Sequence, residues 1–372
     1  MPPVVLTCAN LSDQRWAVMK AVDVLTRGGI VGLPMETVYG LAARLTQTPA
    51  IERLKKIKNI RGHPGWVIHV AQASQAHLYI REMPVMAGRI MKKCWPGPVA
   101  IQVRVSAAEL AALDKLIEPA MVDEILSDGW ITFRCPDHPV TRKILADLPG
   151  PTAMVGAGER QPAGEVGDIP ARILDQLDAV VDAGPTRYRK ASTIVRVEGD
   201  QLQIVRPGVI EERIINRLAE EVILFICTGN TCRSPMAAAI AGTWLARKLG
   251  IAPAALPQHH LVVESAGLHA TDGMPATTEA RTAAREQGAD LTTHRSRAVT
   301  VDLLQRADVI YTMTQSHRDE LVERYPAAAD KTFRLDPDAD IADPIGADVG
   351  RYRELAKRLE ALIAQRLSGI VP

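Results

Sequence analysis

Apolar residues follow two patterns along this chain. Short uninterrupted runs predict buried strands, while stretches in which apolar positions return every three or four residues predict amphipathic helices. From residue 222 onward, runs at 222–226, 261–263 and 309–313 alternate with helical stretches at 277–286, 317–325 and 351–367. A further helix is bracketed by Pro235 near its first position and Gly250 after Leu249, with Met236, Ile240, Trp244 and Leu245 on its packing face. Strand and helix in alternation predict a doubly wound, mostly parallel α/β sheet, which binds ligands at the carboxyl ends of its strands. The first half reads differently. Strand-like runs at 30–33, 67–70, 99–105, 131–133, 179–181, 193–197 and 202–205, with helical stretches at 15–26, 50–58 and 85–94, predict a mixed α/β domain. The seam lies near residue 220, where 211–221 reads as an amphipathic helix with Ile214, Ile215 and Leu218 on one face. The expected domains are 1–216 and 222–372.

Composition narrows the class without naming a function. A chain of 372 residues is long enough for two domains, each with its own core. Hydrophobic residues at 47% and charged residues at 23% fit a globular protein, and a formal charge of +1 offers no global case for nucleic-acid binding. The start has no basic flank and only a short apolar run, so neither a signal peptide nor a membrane span is expected, and a cytoplasmic location follows. Five cysteines without paired spacings suit a reducing compartment. Of these, Cys8, Cys94 and Cys135 are expected as buried packing residues.

Chemistry concentrates in Cys227-Thr228-Gly229-Asn230-Thr231-Cys232-Arg233-Ser234, between an apolar run and a helix. Strand, tight loop and helix make an anion cradle: loop amides converge on phosphate oxygens, and the helix N-terminus adds partial positive charge. A thiol at its base is a nucleophile whose ionised form that environment favours. Cys227 is expected to attack phosphorus, splitting one displacement into two easier ones. Arg233 supplies a planar, bidentate cation for the equatorial oxygens. Ser234 is placed to hydrogen-bond the departing thiolate, Gly229 to permit the tight path, and Asn230 to brace the loop. Asp343, stiffened by Pro344, is the candidate acid for the leaving group. Nearby Asp336, Asp338 and Asp340 suggest a calcium loop, but Ile341 stands where that frame needs glycine and Ala347 where it needs glutamate, so no metal is expected. A different reading of the same loop is a redox switch built from Cys227 and Cys232.

The octet, with Glu264-Ser265-Ala266-Gly267 and Asp343-Pro344, resembles the low-molecular-weight protein-tyrosine-phosphatase family over about 222–368. The resemblance implies Cys227 as nucleophile, Arg233 as phosphate clamp and Asp343 as general acid, with Thr228, Gly229, Asn230, Thr231, Cys232 and Ser234 around the phosphate. It implies a phosphorylated protein as substrate and no cofactor. Thr231 resembles the bacterial protein-arginine phosphatases, where tyrosine-directed members carry a bulkier apolar side chain, so both phosphotyrosine and phosphoarginine stay open. Ile345 departs from the aromatic residue often found after Asp-Pro. A reversible Cys227–Cys232 disulfide would shield the nucleophile.

In the first half, Pro34-Met35-Glu36-Thr37-Val38-Tyr39-Gly40 follows a strand. Lys55, Lys56, Lys58 and Arg61 come next, then His69, Trp95-Pro96-Gly97-Pro98, Arg134 with Asp137-His138-Pro139, Ser192-Thr193 and Arg206-Pro207-Gly208. Alone, the lysine run reads as a solvated helix face and His69 as a core or edge residue. Together these segments resemble the YrdC-like domain of the threonylcarbamoyl-adenylate synthase family over about 12–212. Such enzymes join threonine, bicarbonate and ATP, with Mg²⁺, into an adenylate used in tRNA modification. The resemblance implies nucleotide or threonine contacts at Thr37, Tyr39, Lys58, Arg61, His69, Arg134, Ser192, Thr193 and Arg206. Three departures mark the motifs as degenerate. Met35 replaces a threonine, the Lys-x-Arg motif is spread over Lys58 to Arg61, and Ser-x-Asn falls on Gly156-Ala157-Gly158. The alternatives are an active synthase and a non-catalytic module that binds a nucleotide, double-stranded RNA or a partner protein.

Overall fold

The structure, a computed structural model, describes residues 2–370 apart from the side chains of 114–116. The chain divides into two compact units, Met1–Ala219 and Glu220–Pro372. The first holds strands β1 (Val4–Thr7), β2 (Val31–Leu33), β3 (Gly40–Arg44), β4 (Val67–His69), β5 (Val99–Arg104), β6 (Leu126–Ser127), β7 (Trp130–Arg134), β8 (Thr152–Gly156), β9 (Ala179–Asp182), β10 (Thr193–Glu198) and β11 (Gln201–Arg206). They join in one mixed sheet, ordered β1-β9-β2-β3-β8-β4-β7-β5-β10-β11, with β6 beside β7. Helices cover both faces, so successive residues of one strand serve different cores. Leu41 and Ala43 of β3 pack with Ile51, Leu54 and Ile90, whereas Ala42 packs with Ala17, Ala21 and Ile144. Burial on both faces explains why β3 lies outside the sequence expectation: Gly-Leu-Ala-Ala-Arg has no apolar–polar alternation to read. The very short β6 and the edge strand β1 also escape it, as do β8 and the helices Ala107–Leu116, Pro119–Ile125 and Pro139–Asp147.

The seam helix forms as Glu212–Ala219 and belongs to the first unit, where Ile215 and Ala219 are fully buried. Ile214 does not share that face, being 40% exposed.

The second unit is the doubly wound sheet expected from the alternation. Strands β12 (Glu221–Cys227), β13 (Leu261–Gly267), β14 (Val309–Thr312) and β15 (Thr332–Arg334) are all parallel, in the order β13-β12-β14-β15. Central β12 is buried from Val222 to Cys227 and sends alternate residues to opposite faces. Ile223, Phe225 and Cys227 pack under the helices Arg233–Leu249 and Val349–Leu367, while Val222, Leu224 and Ile226 pack against Leu303, Leu304 and Leu321. The central helix begins at Arg233, two residues before Pro235, which still sits in the first turn where no amide donor is needed. Gly250 caps its end at φ 67°. Among the described residues no helix is long and apolar enough to cross a membrane.

Candidate active site

The chain leaves β12 at Cys227, turns through 228–232 and enters a helix at Arg233. Its carbonyls are engaged by the surrounding loops. Cys227 O accepts from Leu268 N (2.9 Å), Thr228 O from His269 N (3.0 Å), Thr231 O from Thr277 N (3.0 Å) and Cys232 O from Met236 N (3.2 Å). Asn230 O lies 2.8 Å from His294 Nε2. In a trans peptide a carbonyl and the next amide point in opposite directions. The amides of 228, 229, 231, 232 and 233 therefore turn away from those partners, the arrangement an anion cradle requires.

Asn230 carries the sharp turn, at φ 54°, a left-handed conformation asparagine tolerates. Its Nδ2 donates to Ser234 Oγ and Ser265 Oγ, both at 2.9 Å, and its Oδ1 accepts from Arg297 N at 3.0 Å. Gly229 is not the glycine the turn depends on: a Cβ there would meet only Thr231 Oγ1, at 3.7 Å. That role falls to Gly267 at the end of β13, where a Cβ would stand 2.4 Å from Thr228 O and 2.9 Å from Asn230 N. Sequence reasoning missed it because the approach is between chain segments far apart in sequence.

Cys227 is buried, with its Sγ 3.0 Å from Ser234 Oγ. Asn230 Nδ2 donates to that hydroxyl and the Ser234 proton goes to Ala266 O, 3.2 Å away, leaving a second Ser234 lone pair to accept from a Cys227 thiol; facing a thiolate, the same proton turns to the sulfur. Arg233 is 4% exposed: Nη1 donates to Ile341 O (3.0 Å), and Nη2 to Thr228 Oγ1 (3.3 Å) and to the Asp343 carboxylate. The proposed acid thus sits on the proposed clamp, although 110 residues separate them. Asp343 Oδ1 also accepts from Ile345 N at 3.2 Å, holding the carboxyl at its loop. Ile345 itself is exposed.

The remaining loop residues divide. The Thr231 hydroxyl has a weak contact with Cys232 Sγ at 3.7 Å. Cys232 is buried and free, its Sγ 3.4 Å from Tyr352 OH and 3.7 Å from Thr277 Oγ1. Thr228 turns its hydroxyl to His317 Nε2, at 2.9 Å. Burial and the Arg233 charge push the His317 imidazole down to about 4, so it is neutral at ordinary pH. His317 and His294 were not singled out in the sequence. Nothing in their spacing connects them to residues 228–230, and only the fold does.

Asp336 and Asp340 serve as loop anchors. Asp336 Oδ1 accepts from Asp338 N (2.9 Å) and Ala339 N (3.2 Å) while Oδ2 pairs with Arg358, and Asp340 Oδ1 accepts from Gln315 N at 2.8 Å. Among the described residues no cluster of His, Cys, Asp or Glu is arranged to hold a metal.

In the N-terminal unit, Arg134 is the hub. It is 3% exposed, and Nη2 donates to Glu36 Oε1 (2.6 Å) and Thr37 Oγ1 (2.9 Å). His69 stands opposite Arg134 on β7 and opposite Thr152 on β8, so the three side chains share a sheet face. Its Nδ1 contacts Val67 O at 3.0 Å, while Nε2 is buried without a partner. Burial and then Arg134 push this imidazole down to about 3. Ser192, Thr193 and Arg206 form their own knot: Arg206 Nη2 donates to Ser192 Oγ (2.9 Å), and Thr193 Oγ1 donates to Ile210 O (2.7 Å). The Tyr39 hydroxyl is consumed structurally, donating to Gly184 O (2.8 Å) and accepting from Ala183 N (3.2 Å).

The lysine run is only partly solvated: Lys56 is exposed, whereas Lys55 and Lys58 turn inward. Lys55 is buried against Glu124, which also accepts from Trp66 Nε1 at 2.8 Å. Lys58 donates to Gly158 O, and burial lowers its pKa. Arg61 is exposed and lines a hollow of about 600 Å³ with Lys55, Lys56 and His63. Cys135 is buried as expected, whereas Cys8 and Cys94 are half-buried.

Fold and loop together define a parallel-sheet domain that carries a cysteine and an arginine on one strand–loop–helix turn, joined to a mixed-sheet domain of a different kind. Residues 222–370 match the family model described as low molecular weight phosphotyrosine protein phosphatase, and residues 23–208 match the Sua5/YciO/YrdC family model, described as telomere recombination. The chain belongs to both families. It is 42% identical over 146 residues to the protein-arginine-phosphatase of Geobacillus stearothermophilus, which covers 38% of this chain and 90% of that protein. It is 28% identical over 211 residues to the threonylcarbamoyl-AMP synthase of Bacillus subtilis, covering 55% of this chain and 57% of that protein. The chain thus spans little more than half of that synthase. A solved low molecular weight protein tyrosine phosphatase from T. tengcongensis shares 34% identity and a TM-score of 0.37, covering 40% of this chain and 99% of that one.

Proposed function

We propose that the C-terminal unit hydrolyses phosphoprotein through a cysteinyl phosphate, with phosphoarginine as the preferred substrate and phosphotyrosine as the competing one. The observation that carries this reading is the convergence of Cys227 Sγ, Ser234 Oγ and the Arg233 fork on one amide-rich loop. The incoming phosphoryl group takes the place of the Asp343 carboxylate on Arg233, and the released carboxylate takes up the proton that the Cys227 thiol loses, relayed by a phosphate oxygen, which leaves a thiolate and a protonated Asp343. The Cys227 thiolate forms the S–P bond as the P–N or P–O bond breaks, and Asp343 gives its proton to the departing nitrogen or oxygen. In the second step Asp343 accepts a proton from water as the water attacks phosphorus, and Ser234 donates a hydrogen bond to the departing sulfur. Arg233 holds the equatorial oxygens in both steps.

Two features support phosphoarginine. The 42% identical relative is named a protein-arginine-phosphatase. The Thr231 side chain is also small and polar, its hydroxyl making only a weak contact with Cys232 Sγ, which suits a guanidinium better than an aromatic ring. Parallel turnover of phosphoarginine and phosphotyrosine peptides is the test. A preference of the native protein for phosphotyrosine, or a phosphoarginine preference unmoved in Thr231→Ile, removes the substrate assignment or the role of Thr231 in it respectively, and no turnover of either under reducing conditions removes the enzyme reading in favour of a redox switch.

For the N-terminal unit the reading is a module with a weakened nucleotide site, in the cytoplasm. The ATP and Mg²⁺ implied by the family do not fit fully here. Gly156 and Gly158 offer no side-chain donors, and a Cβ at Gly158 would stand 2.0 Å from Gln161 O, so an asparagine cannot simply be restored. Lys58 is engaged by Gly158 O. A second reading, retained threonylcarbamoyl-AMP synthesis for tRNA modification, is favoured by one observation, the unpartnered buried His69 Nε2 beside Arg134. Threonine-dependent pyrophosphate release from ATP decides for synthesis. Salt-sensitive binding of double-stranded RNA without turnover decides for the module.

A further inference from the structure

The Thr228 hydroxyl is part of the octet, yet its partners are side chains of the clamp and of a distant helix. It is held between Arg233 Nη2 (3.3 Å) and His317 Nε2 (2.9 Å). On the other side of the ring, His317 Nδ1 lies 2.8 Å from Thr314 Oγ1, the side-chain cap of the helix Gln315–Arg324, which also accepts from His317 N at 3.2 Å. Counting bonds within the protein, one arrangement satisfies every group, with the Thr314 proton passing on to Ser316 Oγ at 2.9 Å. Arginine only donates, so Thr228 Oγ1 accepts from Nη2, and its own proton goes to an unprotonated Nε2. A neutral ring then carries its proton on Nδ1 and donates to Thr314 Oγ1. In the other tautomer Thr228 accepts twice and its proton has no protein partner, only solvent.

The chain of bonds ends on the clamp. Arg233 Nη1 is fixed by Ile341 O, while Nη2 is shared between Thr228 and Asp343. When Asp343 leaves to serve as acid, Thr228 is the protein group left holding Nη2. We infer that His317 is a positioning residue of this phosphatase, orienting the Thr228 hydroxyl so that Arg233 Nη2 stays aimed at the phosphate once Asp343 has let go. The inference rests on the phosphatase reading above.

The test is a double-variant cycle in the full-length protein, read as kcat/KM on a phosphoarginine and a phosphotyrosine peptide and as inhibition by inorganic phosphate. His317→Leu and the near-isosteric Thr228→Val should each lower kcat/KM about tenfold and weaken phosphate inhibition in parallel. The double variant should lose no more than either single one, because both remove the same chain of bonds. His317→Gln, whose amide oxygen reaches the position of Nε2, should recover activity to within about threefold of the native protein. Multiplicative losses, about a hundredfold in the double variant, would overturn the inference, as would a Thr228→Val variant of native activity or a Gln variant no better than Leu. If the native protein lacks turnover, the phosphatase reading itself falls and takes this one with it. Native turnover with multiplicative losses overturns the positioning role alone.

Discussion

In the C-terminal unit the proposed nucleophile and clamp and the asparagine that braces their loop lie within residues 227–234, at the end of one buried strand and the start of one helix. In the N-terminal unit the polar groups around Arg134 arrive from separate segments, Glu36 and Thr37 after β2, His69 at the end of β4 and Arg134 at the end of β7. A contiguous loop can hold its chemistry while the rest of the domain drifts in sequence, because its geometry is set by its own backbone and by two flanking elements. A dispersed site is open to single departures, of which Gly156 and Gly158 are two, while the sheet and its buried Arg134–Glu36 pair persist. The lesson is that family membership carries unequal weight in the two halves.

The largest expected effect breaks the comparison at its strong end. Cys227→Ser should reduce turnover by roughly 10⁴-fold or more while inorganic phosphate still binds, measured by single-turnover kinetics and equilibrium titration. Appreciable residual turnover would place the nucleophile elsewhere. Asp343→Asn should cost ~10²- to 10⁴-fold on substrates with poor leaving groups and little on good ones. Equal losses on both would deny it the acid role.

A smaller effect separates the halves by stability. Lys55→Met leaves Glu124 buried without its cation and should destabilise the N-terminal unit by about 3–5 kcal/mol, seen as a lowered thermal transition. Phosphatase turnover at 25 °C should not change; a parallel loss would show the halves to be coupled. The smallest effect is in acid. His69 and His317 are held at about 3 and about 4, below the ordinary value near 6.5 of an unfolded chain. The unfolded chain therefore binds more protons in that window. Each histidine's stabilisation is complete above pH ~6.5 and declines as pH falls, to about 4 for His317 and about 3 for His69. His69→Gln should flatten the acid slope of the N-terminal transition only; an unchanged slope would show that other groups set it.

Much of this was legible in residue order. The runs at 222–226, 261–263 and 309–313 became β12, β13 and β14 with ends shifted by a few residues, because buried parallel strands are continuous apolar runs. Asn230 was legible as a brace, since its side chain bonds locally to Ser234. Gly229 was credited with a role that Gly267 performs, and Lys55 and Lys58 with a solvation that belongs to Lys56. Both errors have one cause: the decisive neighbour is remote in sequence.

By itself, the order of residues determined the strand–loop–helix that presents Cys227 and Arg233, since each step depends on contacts only a few positions apart. The tertiary structure alone decided that Asp343, 110 residues away, occupies Arg233, that His317, 89 away, holds Thr228, and that Glu124, 69 away, neutralises Lys55. Local propensity acts over a turn of helix or a strand, whereas a charge or a hydroxyl is satisfied by whatever the folded path brings within about 3 Å of it.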